Sequence, residues 1–250
     1  AHPSGCRRTQ EGTQVVTVQL LIILSLVVFA AAFVQGAIGI GFALIVAPVI
    51  GLMRPDLLPV TLLILMLPLN SLVAWRERPH VDWNGTKWIT VGRFAGTFAG
   101  LWLLAALSST QLDLAVGWFT IIAAAAALFA RPFDPNKPTA LGVGLFTGIT
   151  ETSTGIGGPP LALLYQHASG PVLRSTVAVC FLVGEVLSLI VLAGAGRIGQ
   201  EQLLAALYLC PAVLLGSGLS RLTHNHISGP GLRLAVLVFA IVSGLFLILR

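Results

Sequence analysis

Two short runs in this chain carry the residue types from which chemistry could be built. The first is Glu151-Thr152-Ser153-Thr154-Gly155-Ile156-Gly157-Gly158-Pro159-Pro160. Adjacent glycines and prolines end one helix and restart another with proline in its first turn. A helix starting near Pro159 points its positive dipole end and free N–H groups back into the break, which favours an oxyanion over a cation. The hydroxyls of Thr152, Ser153 and Thr154 add donors. The second run contains Gln35, Gly36, Gly39, Ile40 and Gly41, the mirror half of the same substrate site. A close helix crossing permitted by small residues is the bland alternative, and it leaves the polar run ending in Pro-Pro unexplained.

Four further side chains lie inside apolar segments. Glu151 and Glu185 are intramembrane acids, and such groups are functional by default. A carboxyl that takes up a proton as an anion binds would couple the two fluxes; an acid hydrogen-bonded for packing is the alternative. Arg93 sits about two turns into its expected helix, deep enough to face a cavity and shallow enough to snorkel to the interface. Asn70 could donate its amide to substrate or pair across helices. Tyr165, Gln166 and His167 close the short second helix, where they gate the site or mark the membrane surface. His224 and His226, with no nearby cysteine or acid, make no metal site, and no cofactor is indicated.

These residues must be held by elements immersed in lipid. Apolar residues make up 56% of the 250, charged residues 9%, and mean hydropathy is +0.94. A soluble exterior cannot be made from such a composition. The net charge of +5 is spread over loops with no basic, aromatic-interleaved patch, so no nucleic acid is expected as a partner. Cys180 and Cys210 lie in apolar runs and Cys6 in a polar tail, which gives no disulfide framework. Arg7 and Arg8 precede an apolar stretch beginning at Val15, read as a retained helix rather than a signal peptide.

Apolar runs place helices near 15–35, 42–53, 57–75, 87–107 and 112–130, then 139–150, 158–168, 172–194, 201–220 and 231–249. The fold class is therefore all-α: one transmembrane domain over 1–250, polytopic, with inverted repeats at 15–130 and 138–250. The polar connector from Arg131 to Pro138 divides them. Runs of about twelve residues rise only about 18 Å, too little for about 30 Å of hydrocarbon, so those beside the glycines read as half-helices or re-entrant hairpins. Sliding one half by 116 residues aligns Gly39-Ile40-Gly41 with Gly155-Ile156-Gly157, Pro55 with Pro171 and Gly100 with Gly216. Five elements per half invert the second copy, an arrangement suited to alternating access. Arg76, Arg78, Lys87, Arg131, Lys137, Arg174, Arg221 and Arg233 fall on one face, against Arg7, Arg8, Arg54, Arg197 and Arg250 on the other. The richer face is expected in the cytoplasm and both termini outside the cell membrane. Trp75, Trp83 and Trp88 bracket the charged loop as interfacial anchors.

The two glycine breaks, Gly36-Ala37-Ile38-Gly39-Ile40-Gly41-Phe42 and Thr152-Ser153-Thr154-Gly155-Ile156-Gly157-Gly158-Pro159, resemble those of the TauE/SafE sulfite exporter family. The resemblance spans the transmembrane region and implies transport of sulfite, sulfonates or other small organic or sulfur-containing anions, often with protons. Phe42 and Ala43 stand where a further glycine is usual, and Gly36 where the second copy has Thr152, which makes the site asymmetric. The expectation is a proton-coupled secondary transporter, with the small anion, protons and the lipid bilayer as partners and a homo-oligomer compatible with the chain. A passive channel and a carrier of carboxylates or cations are the alternatives. An enzyme is not expected, because Ser153 has no evident intramembrane base.

Overall fold

The computed structural model describes residues 18–129, 136–165, 167–227 and 230–249. The N-terminal tail with Cys6, Arg7 and Arg8, the connector residues 131–135, Gln166, Arg250 and the side chains of His224, His226 and Arg233 lie outside the described residues. Among the described residues ten α-helices follow one another: α1 (Val18–Ile38), α2 (Phe42–Met53), α3 (Val60–Arg76), α4 (Trp83–Ala106), α5 (Ser109–Phe129), α6 (Lys137–Thr154), α7 (Gly158–Leu164), α8 (Gly170–Gly194), α9 (Gln200–Ile227) and α10 (Pro230–Leu249). Five segments among the described residues are long and apolar enough to cross a membrane: Gln19–Ile38, Trp83–Ala106, Thr110–Phe129, Gly170–Gly194 and Gln200–Arg221. The chain is a polytopic helical membrane protein.

Local chemistry sets the ends of these helices. Asp82 caps α4 by accepting from the Gly85 N–H at 3.1 Å, and Asn136 and Thr139 form a reciprocal capping box at the start of α6. Both chain breaks turn on glycine. The N–H of Gly39 closes α1 on the Gln35 carbonyl at 2.7 Å, and the N–H of Gly155 closes α6 on the Glu151 carbonyl at 2.8 Å. Gly39 and Gly155 have φ of 87° and 81°, a left-handed conformation that residues with a Cβ rarely adopt.

The expected run at 139–150 differs from the structure. α6 begins at Lys137 and continues through the hydroxyl-rich segment to Thr154, 18 residues in all, because Ser153 and Thr154 satisfy their hydroxyls on the Ile149 and Thr150 carbonyls of the preceding turn. The following helix is shorter than expected: α7 has 7 residues and stops at Leu164. α2, at 12 residues, matches the expected half-helix.

Packing pairs distant parts of the sequence. α4 lies along α6 and α1 along α9; α3 meets α8 and α9, α4 meets α8, α5 meets α10, and the short helices α2 and α7 rest on α10 and α5 respectively. The α4–α6 seam is glycine against backbone. A Cβ at Gly92 or Gly96 would overlap the Leu141 or Leu145 carbonyl, and one at Gly148 would lie 2.7 Å from the Arg93 carbonyl. Backbones approach this closely only where side chains are absent. Outward faces are apolar, with Trp102, Ile190, Leu207 and Phe246 exposed, whereas Gln35, Asn70, Arg93, Glu151, Glu185 and Ser188 are buried.

Candidate functional site

The glycine seam brings α4 and α6 together so that Arg93 faces Glu151. Their ion pair spans 2.6 Å between Nη2 and Oε1, and their side chains are 1% and 0% exposed. Arg93 therefore does not snorkel. It lies ten residues into α4, which starts four residues earlier than the sequence suggested. The guanidinium is enclosed by α8: its carbon stands 5.9 Å from the Phe181 ring centre, and a Cβ at Gly184 would occupy the guanidinium's position. Nε and Nη1 of Arg93 and Oε2 of Glu151 have no hydrogen-bond partner. Buried polar groups of this kind are normally satisfied, and unused guanidinium N–H groups form a planar fork that matches an oxyanion.

A second polar chain links the first break to the same interior. The Phe42 N–H, at the start of α2, donates to Gln35 Oε1 at 3.0 Å; Gln35 Nε2 donates to Asn70 Oδ1 at 2.9 Å; Asn70 Nδ2 donates to Glu185 Oε1 at 2.5 Å. Glu185 Oε2 has no partner. Glu185 lies within electrostatic reach of both Glu151 and Arg93, so the two chains share one interior. Gln35 and Glu151 hold corresponding places, each four residues before its Gly-Ile-Gly.

The remaining residues expected at the site shape the breaks. Thr152 shares a 2.7 Å hydrogen bond with Ser188 of α8, and Thr154 Oγ1 accepts from the Ile156 N–H at 3.3 Å. The Gly157 backbone lies against Glu151 Oε2, where a Cβ would collide, and Gly155 packs on Leu62 and Gly158 on Phe181. Gly36 faces Ser220 of α9, Gly39 faces Leu173 and Arg174, and Gly41, with φ 123°, fits between Val34 and Val236. Ile40 and Ile156 are buried. Pro159 and Pro160, second and third in α7, have no N–H, so the start of this short helix offers few donors; the interior's strong donor is Arg93.

Sequence reading missed Phe181, Gly184 and Ser188. With Glu185 they form the i, i+3, i+4, i+7 stripe of α8 that meets Arg93 at Phe181 and Gly184 and Thr152 at Ser188, and that spacing is the signal that would have found them. Tyr165 is buried in the protein and donates to Asp82 Oδ2 at 2.8 Å; His167 is exposed. Among the described residues no three of His, Cys, Asp and Glu gather as a metal site.

Ion pairs sit toward the ends of the bundle. Arg54 reaches Asp56 and Glu201, each at 2.7 Å, while Arg174 reaches Glu77 at 3.0 Å and Arg76 reaches the same carboxylate at 2.9 Å. The Arg54 guanidinium holds the Asp56 carboxyl below its ordinary range.

Residues 24–247 match the family model described as Sulfite exporter TauE/SafE. The chain belongs to the TauE/SafE family. A relative of this TauE/SafE member is the probable inner membrane transporter protein TsaS of Comamonas testosteroni, 32% identical over 198 residues that cover 74% of this chain and 80% of that protein. No solved structure matches. Family and relative together identify a membrane transporter.

Proposed function

We propose that this TauE/SafE member is a secondary transporter of small organic or sulfur-containing anions, of the sulfite or sulfonate type, coupled to protons and working by alternating access around its two helix breaks. The observation that carries the reading is Arg93: a guanidinium 1% exposed, at the α6–α7 break, with N–H groups that no protein acceptor uses. Only an oxyanion matches that donor set in both charge and geometry.

Proton coupling follows from the partner of Arg93. While Glu151 is a carboxylate it occupies the guanidinium. A proton on Glu151 cancels that attraction and frees the fork, so an incoming anion takes the carboxylate's place. Gln35, at the corresponding place in the first break, is neutral and cannot do this. The break then works asymmetrically, with the amide chain through Asn70 holding Glu185 and the first break in register.

Alternating access is supported by exchanged pairings between two inverted repeats, 15–130 and 138–250. The α1–α9 contact corresponds to α6–α4, α3–α9 to α8–α4, and α2–α10 to α7–α5. The Thr61 hydroxyl of α3 donates to the Gln202 carbonyl of α9 at 3.1 Å, and the Thr176 hydroxyl of α8 accepts from the Asp82 N–H before α4 at 3.0 Å. The Arg54–Glu201 and Arg174–Glu77 pairs join the same corresponding connections and would alternately tie each end. The face with Arg76, Arg78, Arg174 and Arg221 is assigned to the cytoplasm by its excess of positive charge.

The test is uptake of labelled sulfite and methanesulfonate into proteoliposomes. Saturable uptake, accelerated by acid on the anion's side and lost in Arg93→Gln, is expected. Non-saturating flux would make the protein a channel, and uptake of cations alone would overturn the anion assignment.

A further inference from the structure

Resting on the transport reading above, we infer that the interior site is charge-balanced for one proton with one singly charged anion, so that the carrier crosses the membrane electroneutrally in both its loaded and its empty form. The substrate class narrows accordingly to monoanions, which favours sulfonates over a dianion such as sulfate.

The charges that face the site can be counted element by element. α4 supplies Arg93, α6 supplies Glu151, and α8 supplies Glu185, the three being 1%, 0% and 0% exposed. α8 also brings Cys180, whose buried thiol stands 3.9 Å from Thr86 Oγ1 and, as ordinary thiols are at pH 7, is neutral. α1 and α3 contribute the neutral amides Gln35 and Asn70. α5 contributes Asp113, which lines a cleft at one end of the bundle with Arg197 and Asp56. Tyr165, just after α7, is bonded to Asp82 at the start of α4.

One cation thus faces two carboxyls where water is excluded. An uncompensated charge in such an interior costs several kcal/mol even after relaxation, so the favoured states are those with zero net charge. In the empty carrier Arg93 pairs with the Glu151 carboxylate and Glu185 holds a proton, accepting from Asn70 at Oε1. When a monoanion replaces Glu151 on the guanidinium, the carboxylate it displaces must take one proton on oxygen, and the sum is again zero. No bond other than that O–H forms or breaks. A dianion with a single proton would leave one negative charge in the interior; a monoanion with none would leave Glu151 charged and unpaired.

The wild-type protein in proteoliposomes decides this, with methanesulfonate as the probe, a pH-sensitive dye reporting protons and a potassium–valinomycin clamp setting the voltage. A carrier moving one net charge would change its equilibrium accumulation about 50-fold per 100 mV, from about 2.3 kcal/mol per charge. Accumulation that is unchanged by voltage, rises tenfold per unit of pH gradient and takes up one proton per anion is the expected result. Voltage-dependent accumulation, or two protons per anion, would overturn the inference while leaving anion transport in place. Absence of uptake for every anion would remove the transport reading and the inference together. Glu151→Gln should lose net pH-driven accumulation yet keep exchange of internal for external anion, because its loaded form is still neutral; retained pH-driven accumulation would count against Glu151 as the proton site.

Discussion

At the residue scale the buried pair of Arg93 and Glu151 makes separable predictions for stability and for transport. Arg93→Ala leaves Glu151 without its counter-charge in an interior of 0% exposure, a change that typically costs about 3–5 kcal/mol. Replacing both groups by apolar ones of similar volume, Arg93→Met with Glu151→Leu, should recover most of that loss, since a buried pair contributes little net stability beyond the penalty of breaking it. Transport should remain absent in both. Thermal unfolding in detergent, set beside proteoliposome uptake, checks the two readouts, and uptake by the double variant would remove Arg93 from the substrate's path. Both acids and the arginine were visible in the sequence, because a charge in an apolar run is conspicuous whatever surrounds it. Their pairing was not, since the 57 residues between Arg93 and Glu151 say nothing of which helices touch. Gly184 was passed over for another reason. A glycine in an apolar helix has several uses, and only the guanidinium lying where its Cβ would be distinguishes this one.

At the element scale the α4–α6 seam decides whether that pair can form. Gly92, Gly96 and Gly100 recur every four residues along α4, and each meets backbone of α6. Gly96→Leu should therefore push the helices apart and destabilise the fold by at least the 1–3 kcal/mol usual for overpacking, with loss of transport. Gly142→Leu is the matched control on α6, because a Cβ at Gly142 meets nothing within 4 Å. It should leave the melting temperature unchanged or slightly higher, given that leucine exceeds glycine in helix propensity by roughly 0.8 kcal/mol. Equal destabilisation by the two substitutions would mean that the seam does not control stability. The number of helices was legible from the apolar runs, and the α2 boundaries were read without error, since Gly41 and Arg54 mark both ends. The end of α6 was misjudged because Ser and Thr commonly favour turns; in Ser153 and Thr154 the hydroxyls bond back to the preceding turn and the helix runs on to Gly155.

At the scale of the whole molecule the two end clusters differ in strength, and that difference predicts which side opens. Glu77 and Arg174 are 10% and 14% exposed, with Arg76 on the same carboxylate. Glu201 and Asp56, the partners of Arg54, are 54% and 52% exposed, where ion pairs contribute only about 0.2–1 kcal/mol. The Arg54 end should open first, and Glu77→Gln should shift the population toward opening at the other end. An impermeant thiol reagent applied to Thr152→Cys, with Cys6, Cys180 and Cys210 removed, measures this from each side of the membrane. Faster labelling from the Arg174 side in Glu77→Gln, with slower labelling from the Arg54 side, is expected; identical rates would mean that the ion pairs do not latch the ends. Acid alone should not release the Arg54 end under mild conditions. The Asp56 carboxyl is held below its ordinary value of 3.8 in the folded protein, so its contribution is complete above that value and disappears only as pH falls through the lower folded one. The rise of uptake with acid that the proposed proton coupling predicts would then arise in the interior, and a labelling rate from the Arg54 side that is flat from neutral to mildly acidic pH, in the same protein whose uptake rises with acid, would locate the proton's effect at the buried carboxyls.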